Sequence, residues 1–289
     1  MEKQELRKLI QLWFQEDIRE GDHTSLCCIP PTQMGCQQLI IKDEGILAGV
    51  EVAKEIIDYF DPECRMEQFL KDGDAVKKGD IAFRVYGKEL SLLQIERTML
   101  NVMQRMSGVA TTAHRYQSLI SDTGCHVLDT RKTTPGLRYL EKEAVKIGGG
   151  MNHRIGLFDM ILLKDNHVDF SGGITNALTR ARVYCKEKNL NLRIEIETRS
   201  EDEIREALAT GIPDRIMLDN FTPERTKAAV DIIRAWEKTH GGRKMEIESS
   251  GGITIDTIRD YALAGVDYVS VGALTHSVKS LDMSFKAVK

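Results

Sequence analysis

The sequence predicts a parallel α/β barrel, closed or incomplete, preceded by a smaller α+β module. Three observations lead there. Beyond Gly124, six short apolar runs recur ("HVLD", "MILLK", "RIEIE", "RIMLD", "MEIES" and "YVSVG"), with helical stretches between most of them. Such alternation implies parallel strands joined by right-handed crossovers. Each run ends in polar or glycine residues, which favours a barrel over an open sheet, because a barrel gathers its strand ends on one face. Residues before about 105 lack this rhythm.

The elements follow in order. "MEKQELRKLIQLWFQEDIREGD" is an amphipathic helix with acids throughout, not the pattern of a signal peptide. "QQLIIKDEGILAGV" reads as strand, turn and strand, and "EVAKEIIDYF" as a helix. "KDGDAVKKGDIAFRVYG" has the glycine-punctuated alternation of small antiparallel strands. "SLLQIERTMLNVMQRMSGVATTAHRYQSLI" carries apolar residues at helical spacing, and Gly108 is expected to interrupt it. Later helices are "SEDEIREALATG", "TPERTKAAVDIIRAWEK" and "TIDTIRDYALAG". Ser200 and Glu203 form a capping box for the first, and Thr222 opens the second with Pro223 just inside. Gly211 and Gly265 close the first and third.

Composition excludes several classes. A chain of 289 residues suits one large domain, or a large one and a small one. Hydrophobic content of 42% and charged content of 29% describe an ordinary globular protein. A net charge of −4 argues against a general nucleic-acid binder. No apolar run approaches the ~20 residues that cross a bilayer, so no membrane partner is expected. The six cysteines form no C-x-x-C pair, which fits free thiols and a cytoplasmic location.

The strand ends carry the chemistry. "DTRKTTPG" sets Arg131 beside Lys132 at the end of an apolar run, after Thr130. Paired cations there cost desolvation free energy unless an anion sits against them. The second run leads to Lys164, Asp165, Asn166 and His167, the third to Glu197, and the fourth to Asp219 and Asn220. The fifth leads to Ser250, Gly251 and Gly252, and the sixth to Val271, Gly272 and Ala273. Lys164 or Glu197 alone would read as a salt bridge, and Asp219–Asn220 alone as a turn. Six polar tips in register point to a site.

"SGG", expected to open a helix from Thr254, presents backbone N–H groups and a positive dipole to a phosphate, and Gly272 offers a second close approach. Glu197 and Asp219 are hard oxygen ligands of the kind that hold Mg²⁺ near phosphates. Lys132 and Lys164 would face a polyphosphate as point charges. The Gly148–Gly150 run reads as a flexible loop ending in His153 and Arg154, which with Arg131 make a second cationic cluster suited to carboxylates. The pocket therefore serves two anionic substrates, one phosphorylated and metal-bound, the other acidic.

These residues together resemble the quinolinate phosphoribosyltransferase family. The resemblance covers essentially the whole chain and includes "EDIREGDHTS", "ERTMLNVMQRMSGVAT", "DTRKTTPGLRYLEKEAVKIGGGMNHRIGLFDMILLKDNH", "EIET", "MLDNF", "ESSGGI" and "VGALTHS". It implies an N-terminal α+β sandwich domain over about 1–105 and an incomplete TIM-like barrel over 106–273, with a tail from about 274 to 289 returning to the first domain. It also implies transfer of phosphoribosyl from phosphoribosyl pyrophosphate to quinolinate with decarboxylation, giving nicotinate mononucleotide in NAD biosynthesis.

Carried over residue by residue, the quinolinate set becomes Arg97, Arg131, His153 and Arg154, with Lys132 and Lys164 nearby. The phosphoribosyl pyrophosphate set becomes Lys132, Lys164, Glu197, Asp219, Ser250, Gly251, Gly252 and Gly272, flanked by Thr130, Val271 and Ala273. Lys132, Lys164, Glu197 and Asp219 are the catalytic group, with Mg²⁺ on the two acids. The resemblance further implies a homodimer in which Arg97 reaches the partner's barrel; by sequence alone Arg97 is only a charge in a Met-rich helix. A nicotinate-type phosphoribosyltransferase is the nearest alternative, and a Schiff-base aldolase using Lys164 a remoter one.

Overall fold

The computed structural model describes residues 3–288. In chain order the elements begin α1 (Lys3–Asp17), α2 (His23–Cys28), β1 (Met34–Ile41), β2 (Gly45–Ile46), α3 (Val50–Phe60) and β3 (Arg65–Gln68). They continue with β4 (Ala75–Val76), β5 (Ile81–Lys88), α4 (Glu89–Ser118), β6 (His126–Leu128), α5 (Arg138–Ile147), β7 (Ile161–Leu163) and α6 (Asp165–Ser171). The remainder are α7 (Ile174–Glu187), β8 (Ile194–Thr198), α8 (Glu201–Thr210), β9 (Arg215–Asp219), α9 (Pro223–Thr239), β10 (Glu246–Ser250), α10 (Ile258–Leu263), β11 (Tyr268–Ser270), α11 (Ala273–His276) and β12 (Met283–Ala287). They group into two compact units, one holding residues up to 114 with 134–149 and the segment from 277, the other 115–133 and 150–276.

The first unit is built on an antiparallel sheet of order β12-β1-β5-β3. Its period-2 pattern buries Gln37, Leu39 and Ile41 on β1. Leu39 stands opposite Phe83 of β5 and Phe285 of β12, whose rings lie 6.4 Å apart. On α1, Ile10 and Phe14 are one helical turn apart and buried, and Phe14 packs 4.7 Å from the Phe60 ring of α3.

Two boundaries differ from the sequence reading. The division at 105/106 falls inside α4, and residues 134–149 cluster with the first unit. An ion pair gives the reason: fully buried Glu141 of α5 accepts from Arg105 of α4 at 2.8 Å and from the Thr134 backbone N–H at 3.1 Å.

Gly108 does not interrupt α4, which runs through it. A Cβ at Gly108 would collide with the backbone oxygen of Lys279 and lie 3.1 Å from Ser280 Cα. The glycine therefore admits the returning C-terminal strand instead of breaking the helix. Gly108→Ala should gain about 1 kcal/mol of helix propensity but cost about 1–3 kcal/mol in overpacking, a net loss seen as a lower Tm. A Tm equal to or above wild type would show that residues 278–280 have room to shift.

The second unit is a six-stranded parallel sheet of order β6-β11-β10-β9-β8-β7. Its edge strands, β6 and β7, do not pair with each other, so the barrel is incomplete. Met151 makes a single parallel bridge to Leu128 on the free edge of β6. Every residue of β8 is buried, as expected for a strand covered on both faces. The helices lean on their neighbours in turn: α6 on α7, α7 on α8, α8 on α9 and α9 on α10.

Capping follows the sequence closely. Ser200 accepts from the Glu203 N–H, Thr222 from the Arg225 N–H, and Gly211 closes α8 at φ +61°. The box at Ser200 is displaced by one residue, because the Glu203 carboxylate reaches the Arg199 N–H at 2.6 Å. The helix expected from Thr254 begins only at Ile258. Residues 254–257 form a turn in which the Thr254 N–H bonds the Thr257 hydroxyl, so local side-chain bonding wins the first turn. All six cysteines are free, and no helix among the described residues is long and apolar enough to cross a membrane.

Candidate active site

A cavity of about 340 Å³ lies at the C-terminal ends of the strands, lined from β6, β7, β9, β10 and β11 or the segments that follow them. Of the residues expected from sequence, Thr130, Arg131, Lys132, His153, Arg154, Lys164 and Ser250 line it, joined by Leu162, Met217, Glu248 and Ser270. Glu197 and Asp219 close β8 and β9, and Val271, Gly272 and Ala273 follow β11. Arg97 does not line this cavity; it is exposed on α4 and borders a cavity of about 160 Å³ in the first unit with Trp13, Asp17 and Asn101.

Each rim group is held by the fold. The Lys132 carbonyl accepts from the Thr275 hydroxyl at 2.8 Å, and its N–H bonds Thr130 Oγ1 at 3.0 Å. Lys164 precedes α6, and its backbone N–H donates to His167 Nδ1 at 3.0 Å. Its ammonium lies 3.5 Å from Glu197 Oε2. That charged neighbour counts against the aldolase alternative, since a Schiff-base lysine needs apolar surroundings.

Asn220, at φ +55°, donates from its side-chain amide to Asp219 Oδ2 at 2.7 Å, which orients that carboxylate. Gly251 has to be glycine: its φ is +99°, and a Cβ would lie 2.9 Å from the Asn220 backbone nitrogen. The helix-dipole part of the phosphate expectation does not hold, because α10 begins six residues beyond Gly252. What the turn offers an anion is backbone N–H groups.

The electrostatics favour anions in the cavity and a cation at its edge. Burial, followed by the neighbouring Arg131, pulls the Arg154 guanidinium below its usual range, a cost that an anion between the two would relieve. Burial pushes the Glu197 carboxyl up, with Asp219 and Asp165 adding to it and Lys164 opposing. Two hard-oxygen acids whose charge is not fully compensated fit a divalent cation.

Beneath the rim lies a buried set that sequence reasoning missed. Glu195, Glu248 and Arg215 sit lower on β8, β10 and β9, with the Arg215 side chain 8% exposed. Arg215 donates to Glu248 Oε2 at 2.9 Å and to Glu246 Oε2 at 3.0 Å. His153 Nε2 lies 3.0 Å from Glu195 Oε2 and 3.5 Å from Glu248 Oε2. Its Nδ1 accepts from the Arg154 backbone N–H at 2.7 Å, which leaves Nε2 facing the two carboxyls.

His153 is thus turned towards the floor, with Glu195 and Glu248 as its neighbours. The loop read as flexible is also closed: Gly148 and Gly149 bond back to α5, and the Met151 N–H bonds the Val127 carbonyl at 2.8 Å. The signal for the missed set was present. Glu195 and Glu197, Arg215 and Asp219, and Glu248 and Ser250 share parity on their strands, so all face one side.

Comparison with known proteins agrees with this geometry. The family model for the quinolinate phosphoribosyl transferase N-terminal domain matches residues 22–107, and that for the C-terminal domain matches 109–286. The chain is 42% identical over 98% of its length to the carboxylating nicotinate-nucleotide pyrophosphorylase of Arabidopsis thaliana chloroplasts, covering 82% of that protein. It is 41% identical over 97% of its length to the probable carboxylating nicotinate-nucleotide pyrophosphorylase of Bacillus subtilis, covering 92% of it. The crystal structure of NadC from Streptococcus pyogenes superposes with a TM-score of 0.91 at 35% identity, over 100% of this chain and 99% of that one. The chain therefore belongs to the quinolinate phosphoribosyltransferase family.

Proposed function

We propose that the protein transfers phosphoribosyl from phosphoribosyl pyrophosphate to quinolinate with loss of CO₂, forming nicotinate mononucleotide and pyrophosphate in NAD biosynthesis. The observation that carries this is the cavity itself: Arg131, Lys132, Arg154 and Lys164 converge on one space, and Lys164 links it to Glu197, which in turn neighbours Asp219. Arg131 and Arg154 suit the two ring carboxylates through planar, bidentate bonds. Lys132 and Lys164, with the backbone N–H groups at Gly251, Gly252 and Gly272, suit the phosphates, and Thr130, Ser250, Val271 and Ala273 complete the wall. The ring nitrogen attacks C1 of the ribose as pyrophosphate leaves, so positioning and charge stabilisation account for the catalysis.

Glu197 and Asp219 would hold Mg²⁺, which would supply charge neutralisation for the pyrophosphate. The protein acts in the cytoplasm as a homodimer, with Arg97 of one subunit completing the quinolinate pocket of the other. Incubation with quinolinate, phosphoribosyl pyrophosphate and MgCl₂ tests the reading: CO₂ and nicotinate mononucleotide should appear in equal amounts. Nicotinate mononucleotide from nicotinate but not from quinolinate would overturn it.

Asp219→Asn tests the metal. It removes one charge while keeping the shape, and about 1–2 kcal/mol of lost cation affinity should raise the MgCl₂ needed for half-maximal rate about tenfold. An unchanged MgCl₂ titration would remove Asp219 from the metal set.

A further inference from the structure

On the reaction proposed above, loss of CO₂ leaves the bonding electron pair on C2 of the ring, and the product carries a proton there. The rim does not supply an obvious donor. Guanidinium groups do not release protons, and Lys164 sits against the Glu197 carboxylate at the mouth. The floor holds a different kind of group. Glu248 is fully buried on β10 and lines the cavity. Its Oε2 accepts from Arg215 at 2.9 Å, while its Oε1 is buried without a hydrogen-bond partner. A bare carboxylate oxygen in that position is costly, and a carboxylic acid whose proton is shared with the Glu195 carboxylate relieves that cost.

We propose that Glu248 is the acid that protonates C2. The C2–carboxylate bond breaks, CO₂ departs, and the electron pair left on C2 takes the proton from Glu248 Oε1. The resulting Glu248 carboxylate is held by Arg215, and water restores its proton before the next turnover. Burial first, and then the neighbouring Glu195, push the Glu248 carboxyl up to about 7, so it carries a proton through much of the neutral range. Four groups face it: Glu195 from β8, Arg215 from β9, Ser270 from β11 and His153 from the segment after Gly150. His153 Nε2 lies against Glu195 and Glu248 at 3.0 and 3.5 Å, so its proton is held by those carboxyls. One ring nitrogen of His153 and one oxygen each of Glu195 and Glu248 lie within 4.8 Å of one another, but Arg215 already supplies the positive charge that a metal would bring.

The test is the single-turnover rate of nicotinate mononucleotide formation against pH for wild type and Glu248→Gln. The acid acts when protonated, so the wild-type rate should fall as pH rises through about 7. Glu248→Gln should lose that limb and run on the order of a hundredfold slower, while calorimetric affinities for both substrates change little. In equal H₂O and D₂O, the deuterium content at C2 of the product should differ between the two proteins, since a different donor then delivers the proton. A Glu248→Gln enzyme that keeps both the limb and the isotope content would overturn the proposal.

If Glu248→Gln does not fold, wild type and Glu248→Asp decide the matter. A wild-type rate independent of pH from about 6 to 9, or a limb that Glu248→Asp leaves unmoved, would be equally fatal. Failure of wild type to make any nicotinate mononucleotide would instead sink the reaction assigned above, which separates the two.

Discussion

A mixture of Arg97→Ala and Lys164→Ala proteins, each nearly inactive alone, is expected to recover about a quarter of wild-type activity once subunits exchange. Arg97 lies on α4 of the first unit, and Lys164 follows β7 in the second. Arg97 is absent from the lining of the 340 Å³ cavity, although the family resemblance makes it a substrate ligand. If it serves the partner's barrel, one site of a mixed dimer carries both lesions and the other carries neither. Random exchange makes about half the dimers mixed, each with one intact site of two, hence about a quarter of full activity for independent sites. If Arg97 serves its own barrel, every site keeps one lesion. A mixture as inactive as its parents, with exchange verified by mass spectrometry, would falsify the shared site.

The barrel was legible because its signals are local and repeated. Apolar runs of period-2 strands, Ser200 and Thr222 at helix starts, and Gly211 at a helix end depend on neighbours within a few residues. Gly108 and Thr254 misled for the opposite reason. The first answers to a backbone more than 170 residues away in sequence, at Lys279, and the second to a hydroxyl that outcompetes the helix. The rim of the site was readable because the strand ends repeat charged and glycine residues run after run. The floor was not, because Glu195 and Glu248 look like ordinary polar residues interrupting apolar strands until the register brings Arg215 between them. His153 shows the limit most clearly: residue type placed it with the rim cations, whereas the fold turns its Nε2 to two buried carboxyls. Charge state is decided by tertiary neighbours.

Arg131→Lys is expected to weaken quinolinate binding tenfold to a hundredfold while leaving phosphoribosyl pyrophosphate binding nearly unchanged. The substitution keeps the charge, so a purely Coulombic role would survive it. What it removes is the planar fork, and with it one charge-assisted hydrogen bond, about 1.5–3 kcal/mol. The pocket makes this loss visible, because burial, with the neighbouring Arg131 adding to it, already pulls the Arg154 guanidinium below its usual range. A dicarboxylate between the two relieves the repulsion only if both cations present donors to it. A lysine, compact and strongly hydrated, would keep the repulsion and pay more desolvation for fewer bonds. Calorimetric titration of each substrate separately checks the result, with the Tm of the variant showing that the fold is intact. Equal losses for the two substrates would move Arg131 out of the dicarboxylate pocket and onto the phosphate side with Lys132.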